Sequence, residues 1–466
     1  MASITSRSVQ MDVDVIVIGS GQAGVPLATR LARDGKRVVL AERDQPGGTC
    51  VNYGCTPTKT MMASAQAAHD ARRAASLGVD VGEVRVDLSR VVARKDAMVH
   101  EWRASVEKSI AGAGERLTLV RAHARFTGER QVEMGGATYR AETVIVNTGA
   151  RPAVPPLDGL DGVPWLDNRR VMELTELPVH LLVLGGGYVG CEFAQMFRRF
   201  GSRVTIVGSA AHLLDREDAD VSEAVQDAFG AEGIEMVLGA SAKSVARDGA
   251  GVRLRLEDGR EMEGSHLLVA VGRKPNTDDL GCEAAGIRLT ERGAIEVDDR
   301  FATSAEGVYA VGDVTGGPQF THTAWDDGRI LFDLLQGTGR RTAAGRTIPY
   351  AVFTDPQVAR AGLSETDARK DGVAYELATM PFSAIARAWE TGRSAGMMKL
   401  LLDPQTERIL GVTIVGAEAG ELLHAFVPLM QSGTSARAIV DAEFVHPTFA
   451  EGVQSLVMRL PRYKLS

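Results

Sequence analysis

Residues 12–44, DVDVIVIGSGQAGVPLATRLARDGKRVVLAERD, read as strand, glycine turn, helix and strand. The opening run VDVIVIG is short, apolar and β-branched, as a parallel strand buried on both faces should be. Gly19, Gly21 and Gly24 then follow in the G-x-G-x-x-G spacing. The first permits a tight turn, the second lets the backbone approach a pyrophosphate, and the third allows close helix–strand packing. Glu42 ends the next strand, roughly twenty residues on, where an acid binds ribose hydroxyls. The fingerprint alone says little; framed by its strands and terminal acid, it predicts a dinucleotide site.

The same pattern returns at residues 178–210, PVHLLVLGGGYVGCEFAQMFRRFGSRVTIVGSA, with Gly185, Gly187 and Gly190 repeating the fingerprint. Laid on the first copy, Gly208 falls where Glu42 stood. Two such units imply two bound dinucleotides, the first with free ribose hydroxyls. Loss of the acid in the second removes repulsion against a 2′-phosphate, so NADPH is expected there over NADH. Ser209, Arg203 and Arg216 are candidates to meet that phosphate, each equally readable as an ordinary surface residue.

Shorter signals surround these units. VIVNTGARP (144–152) and LLVAVGRKPN (267–276) run from buried strands into glycine turns and read as crossings between domains. GVYAVGDVTGG (307–317) is a buried strand ending in Gly-Asp, which puts Asp313 at the ligand crevice of an open α/β sheet. From about Ile348 the chain alternates strands with helices and carries no nucleotide fingerprint, an α+β segment that follows a linker at 334–349.

Composition narrows the class. A chain of 466 residues exceeds one core and suggests about three domains. Its 44% hydrophobic and 24% charged content fits a globular protein. A net charge of −8, with no long basic run, argues against nucleic-acid binding. The polar start, MASITSRSVQMDVD, reads as neither signal peptide nor spanning helix, and apolar runs stop well short of the roughly 20 residues that a membrane span needs. The expected location is cytoplasmic, where thiols stay reduced and a disulfide serves catalysis more often than structure.

That matters for residues 47–59, GGTCVNYGCTPTK, which hold two of only four cysteines. Zinc sites use paired short spacings such as C-x2-C, which this chain lacks, so no structural metal is expected. Cys191 and Cys282 stand alone and read as small buried hydrophobes. A disulfide between Cys50 and Cys55 closes too short a loop to stabilise much, and strain makes it easily reduced. The stretch that follows, with Pro57 in its opening turn, predicts a helix. Cys55 then lies near a helix N-terminus that stabilises a thiolate. The pair reads as a catalytic dithiol.

The ordered motifs GSGQAG, GGTCVNYGCTPTK, NTGARP, GGGYVGCE, GRKPN, VGDV, VFTDP and HPTFAE give the chain a strong resemblance to the class I pyridine nucleotide–disulfide oxidoreductases. This family includes glutathione reductase, dihydrolipoamide dehydrogenase and mercuric reductase. The resemblance implies an α/β fold with two Rossmann-like (doubly wound) nucleotide-binding domains and an α+β C-terminal dimerisation domain. The expected division is 1–150 for FAD, 151–272 for NAD(P), 273–344 returning to the FAD and central region, and 345–466 for homodimerisation. It further implies Cys55 as the thiol against the flavin and Cys50 as the thiol that meets substrate. Lys59 and Glu192 match a pair that meets near the flavin, where a fixed cation tunes the ring. Tyr188 matches an aromatic that covers the flavin, and Asp313 the residue that binds the ribityl chain. Gly48, Thr49, Lys59, Thr148 and Gly149 complete the expected FAD site, and Gly272 and Arg273 fall in the matched GRKPN turn. His446 and Glu451 match an acid–base pair from the other subunit, chemistry suited to protonating a leaving thiolate.

For substrate, residues 50–65 and 213–236 look most like mercuric reductases, with Hg(II) meeting Cys50 and Cys55. Three features depart from that branch: no N-terminal metal-binding domain, no vicinal cysteines in MRLPRYKLS, and histidine at 446 where an aromatic is usual. The expectation is a mercuric-reductase-like enzyme whose site keeps the form of a disulfide reductase. Reduction of a small disulfide or of lipoamide is the alternative, and a non-catalytic FAD-binding module a remote one.

Overall fold

The computed structural model describes residues 10–463. These group into two compact units, one holding residues up to Thr60, Val92–Ala153 and Arg273–Arg346, the other Met61–Val91, Val154–Gly272 and the chain from Thr347 onward.

In the first unit, strand Gln10–Ile18 is the centre of a seven-stranded sheet. It pairs in parallel with Val38–Glu42 on one side and Ala137–Val146 on the other, so that Val15 faces Val38 and Thr143. Leu117–Arg121 and Val308–Ala310 extend the parallel part. Ile16, Val17, Leu40 and Val144 are fully buried, which is why these strands are apolar without alternation. Helix Gly24–Arg33 lays Val25, Leu27, Ala28, Leu31 and Ala32 on the sheet and carries Arg30 and Arg33 in its last turn, where cations suit the helix dipole.

The second unit repeats the design. Glu235–Val237, Arg203–Val207, His180–Leu184, His266–Val269 and Trp165–Leu166 form a parallel five-stranded sheet. Its helix, Tyr188–Phe200, buries Phe193, Met196 and Phe197. The C-terminal segment is an antiparallel sheet of Tyr350–Val352, Gln357–Gly362, Ile409–Gly416, Met397–Leu402 and Glu376–Pro381. Phe382, Leu400, Val412, Phe426 and Leu456 fill its core. Two parallel nucleotide-type sheets and a third, antiparallel α+β sheet are the fold class expected from sequence. Antiparallel additions at Ala124–Met134 and Ala242–Gly264, and the long helix Leu88–Ala111, are features that the sequence reading did not resolve.

Candidate active site

Cys50 lies in the short helix Gly48–Asn52, and Cys55 opens helix Cys55–Arg73, so the predicted helix start falls on the second thiol itself. The structure holds the pair as a dithiol, Cys50 half-buried and Cys55 exposed. Cys55 Sγ is in hydrogen-bond contact with Thr321 Oγ1 at 3.1 Å. A hydrogen bond to Cys55, then burial, then electrostatic interaction with Cys55 push the Cys50 thiol up, with a Thr321 hydrogen bond opposing. The loop between the two is fixed by Asn52, whose amide donates to the carbonyls of Pro46 and Gly48 at 3.0 Å and accepts from Arg103 Nε at 2.8 Å. Sequence reasoning missed both Thr321 and Asn52. Thr321 opens helix Thr321–Leu335, far along the chain from Cys55; Asn52, lying between the cysteines, was available as a small polar residue in an otherwise apolar turn.

The first glycine turn has the predicted form. Gly19 is left-handed at φ 101°, and a Cβ there would lie 2.3 Å from Asn147 O; a Cβ on Gly24 would lie 2.0 Å from Gly19 O. Gly21 faces Asn147 Oδ1, and a Cβ on Gly48 would press on Gly21 Cα. Thr49 follows on the short cysteine helix. Glu42 reaches back to this turn, accepting from Ser20 N at 3.0 Å and from the Ser20 hydroxyl at 2.5 Å. Thr148 Oγ1 donates to Asn276 O at 2.9 Å, and the Asn276 amide N–H donates to Gly149 O at 3.0 Å, joining two turns that sequence treated separately. Arg273 donates to Asp313 Oδ2 at 3.1 Å and to Ala150 O at 2.7 Å. Burial pushes the Asp313 carboxyl up, with Arg273 opposing. Gly272, left-handed at φ 135°, turns the chain into Arg273.

The second turn is built alike. A Cβ on Gly185 would lie 2.4 Å from Ala270 O, and one on Gly190 2.1 Å from Gly185 O, whereas one on Gly187 would meet no described atom within 4 Å. Gly208 ends strand Arg203–Val207, and the loop beyond it, with exposed Ser209 and Arg216, is pinned to the glycine turn by Leu214 N donating to Gly186 O at 2.8 Å. Arg203 is the exception. It starts that strand, five residues and about 16 Å before the loop, and is ion-paired with Glu235 at 2.8 Å. It is at the wrong end to meet a ribose phosphate; the β-strand carries it away from the crevice.

These residues fit two dinucleotides. Neither first turn of helix Gly24–Arg33 or of helix Tyr188–Phe200 holds an acid, and neither N-cap residue bonds its own helix through a side chain, although Asn147 Oδ1 accepts from Gly24 N at 3.0 Å. Both ends therefore oppose no negative charge to a phosphate placed at the positive end of the helix dipole. Arg273 Nε is buried and, among the described residues, finds no partner.

Tyr188, 36% exposed, begins the second nucleotide helix, and Glu192 follows one turn on, buried, its Oε1 accepting from Phe353 N at 2.9 Å. Lys59 lies one turn past Cys55 on the same helix. His446 Nδ1 meets Glu451 Oε2 at 2.8 Å, with the ring 71% exposed. The two residues of the sequence-predicted pair are thus in contact. Cys191 and Cys282 are buried, as expected of small hydrophobes. Among the described residues no cluster of three or more His, Cys, Asp or Glu could hold a metal, and no helix is long and apolar enough to cross a membrane.

The chain belongs to the class I pyridine nucleotide–disulfide oxidoreductases, and is an FAD-dependent oxidoreductase. The pyridine nucleotide-disulphide oxidoreductase family matches residues 13–328, and that family's dimerisation domain matches residues 348–457. Among individual proteins, the chain is 35% identical to the probable pyridine nucleotide-disulfide oxidoreductase RclA of Escherichia coli, over 95% of this chain and 98% of that one. It is 32% identical to a mercuric reductase of Staphylococcus aureus, over 95% and 81% of the two chains. A solved Cu(II) complex of RclA, a HOCl-induced flavoprotein disulfide reductase, superposes with a TM-score of 0.87 at 34% identity, over 95% and 99%. LpdA of Mycobacterium tuberculosis does so with a TM-score of 0.87 at 30% identity, over 96% and 99%.

Proposed function

We propose that the chain takes electrons from NADPH and delivers them through the Cys50–Cys55 dithiol to a substrate disulfide, as a homodimer in the reducing cytoplasm. The observation that carries this is the His446–Glu451 pair at 2.8 Å, which a thiol–disulfide exchange needs. Gly19, Gly21, Gly24, Glu42, Gly48, Thr49, Thr148, Gly149 and Asp313 would hold FAD. Gly185, Gly187, Gly190, Ser209, Arg216, Gly272 and Arg273 would hold NADPH. When bound, the flavin supplies the two-electron couple between nicotinamide and protein sulfur.

The chain's own residues divide the remaining work. The hydrogen bond to Cys55 and burial push the Cys50 thiol up, so it needs a base before it can attack. The partner's His446 takes that proton at Nε2, with Glu451 orienting the ring through Nδ1. Cys50 then bonds to one substrate sulfur, and the leaving thiolate receives the proton back from Nε2. Cys55 attacks the Cys50 sulfur, which releases the second substrate sulfur as a thiolate and closes the Cys50–Cys55 disulfide. Two electrons from NADPH reopen it. Lys59 and Glu192 would supply fixed charge for the flavin, and Tyr188 would act as an aromatic cover for it.

A metal ion as electron acceptor is the second reading. Mercuric reductases stand among the relatives, and the RclA structure is a Cu(II) complex. Two closely spaced sulfurs, one of them exposed, suit a thiophilic ion as substrate. Steady-state turnover with NADPH against oxidised glutathione, lipoamide, Hg(II) and Cu(II) tests both. Turnover of a disulfide is expected; efficient reduction of metal ions alone would overturn the first reading in favour of the second.

A further inference from the structure

Helix Tyr188–Phe200 turns a polar face inward. Tyr188, Glu192, Gln195 and Arg199 recur at the spacing of a single helix face. Glu192, Gln195 and Arg199 are only 5%, 2% and 6% exposed, so each must find partners inside the protein. All three find them in one short stretch, Phe353–Asp355. Glu192 Oε1 accepts from Phe353 N at 2.9 Å. Gln195 Oε1 accepts from Asp355 N at 2.8 Å while its Nε2 donates to Asp355 O at 2.7 Å, a two-way amide pair with the backbone. Arg199 donates to Asp355 Oδ2 at 2.9 Å. Glu232 backs the arrangement, accepting from Gln195 Nε2 at 2.8 Å and from Arg199 Nε at 2.9 Å. Burial disfavours the Asp355 carboxylate, yet the Arg199 guanidinium and then Arg393 hold it below the usual carboxylate range.

The two bonds of Gln195 go to backbone atoms two residues beyond the amide that holds Glu192. A loop bonded in this way cannot slide along the helix without breaking both. The orientation of the Glu192 carboxylate therefore depends on groups one and two turns further down the helix. We infer that Gln195 and Arg199 are positioning residues for electron entry: they hold Phe353–Asp355 in register on the helix, and so fix the orientation of the Glu192 carboxylate. This rests on the proposed roles of Tyr188 and Glu192.

Gln195→Met keeps the side-chain volume and removes both backbone bonds; Arg199→Lys keeps the charge and loses the fork. In the FAD-loaded dimer, Gln195→Met is expected to slow flavin reduction at saturating NADPH about tenfold or more, the scale of a small misplacement at a reacting centre. FAD content and thiol titre should stay at parental values, and the Phe353 and Asp355 amides should exchange with solvent faster. Arg199→Lys should show the same pattern, more weakly. Unchanged flavin reduction in Gln195→Met with faster amide exchange would overturn the inference, since the loop would then have been loosened without consequence. Equally, a loss of FAD content with an unchanged rate per bound flavin would show a purely structural role. Glu192→Gln, measured alongside, separates the layers: if it reduces flavin at the parental rate, the reading of the helix itself is wrong, whatever Gln195 does.

Discussion

Cys50 and Cys55 differ in their surroundings, and the difference divides their work. Cys55 opens a helix, whose N-terminus favours a thiolate; at Cys50 the hydrogen bond to Cys55 and burial disfavour one, with a Thr321 hydrogen bond opposing. Cys55→Ser should abolish the long-wavelength absorbance of the two-electron-reduced enzyme, whereas Cys50→Ser should preserve or enhance it; the opposite result would exchange the two roles. Thr321→Val removes the hydroxyl that contacts Cys55 Sγ and lowers the Cys50 pKa, and should raise the pH at which that absorbance develops by about one to two units. A pH titration of the reduced variant measures this directly. Gly208 offers a second substitution that can be read cleanly. A Cβ there would lie 3.2 Å from Leu238 Cδ2, a flexible side-chain end that can yield, so Gly208→Glu should fold. Comparing kcat/KM for the two nicotinamide cofactors should show NADPH preferred by the parent and the preference lost or reversed in the variant. Equal or better use of NADH by the parent would sink the assignment.

Helix Ala219–Ala231 begins beside a polar cluster that ties it to the C-terminal sheet. Asp218 accepts from Glu365 N at 3.0 Å and Thr366 N at 2.9 Å, capping another helix in place of its own, and Lys399 lies 3.1 Å from Asp218 and 3.2 Å from Glu365. Against the opposing cost of burial, the Thr366 and Lys399 hydrogen bonds lower the Asp218 carboxyl to about 2. A carboxyl depressed on folding adds stability above its ordinary value near 4 and loses it as pH falls toward 2. Allowing for screening, the contribution is about 1–2 kcal/mol. Denaturant unfolding at pH 6 and pH 3 should show Asp218→Asn losing less stability on acidification than the parent. Lys399→Met removes the cation between two buried carboxylates that keep other partners, and should cost about 1–3 kcal/mol. Sequence legibility follows the range of the interactions. The glycine turns, Glu42 at its strand end and the helix at Cys55 were readable because each is fixed by neighbours within one βαβ unit or one turn. Thr321 was not, because 266 residues separate it from Cys55. The trans cap of Asp218 on residue 365 and the clamp of Gln195 on residue 355 were hidden for the same reason. Arg203 was misjudged because a fingerprint gives the composition of a strand and not which of its ends meets the ligand.

The dimerisation domain at residues 348–457 carries His446 and Glu451, while both cysteines lie within the flavoprotein match at 13–328. The proposed mechanism needs the imidazole of one subunit at the dithiol of the other. His446→Ala removes the acid–base group, and should depress disulfide turnover about 10²- to 10⁴-fold. Flavin reduction by NADPH should stay intact. Reduction of Hg(II), which releases no thiolate that must be protonated in the same way, should fall much less. Loss of disulfide and Hg(II) turnover alike, with flavin reduction unimpaired, would show that His446 is not acting on a leaving group. Subunit mixing asks the stronger question of where that histidine acts. A Cys50→Ser subunit and a His446→Ala subunit are each inactive toward disulfides as homodimers. If the site is shared, their heterodimer holds one site in which both groups are intact, Cys50 from one chain and His446 from the other. Its second site lacks both. If each site is built within one chain, neither site of the heterodimer is complete. After random reassortment half the dimers are mixed, so a shared site should restore about a quarter of parental turnover. Unfolding and refolding the two variants together, with each variant refolded alone as control, measures the difference. Recovery to that level supports the shared site; no recovery, with FAD content and dimer mass intact, would place His446 and Cys50 in the same chain's site or remove the histidine from the chemistry.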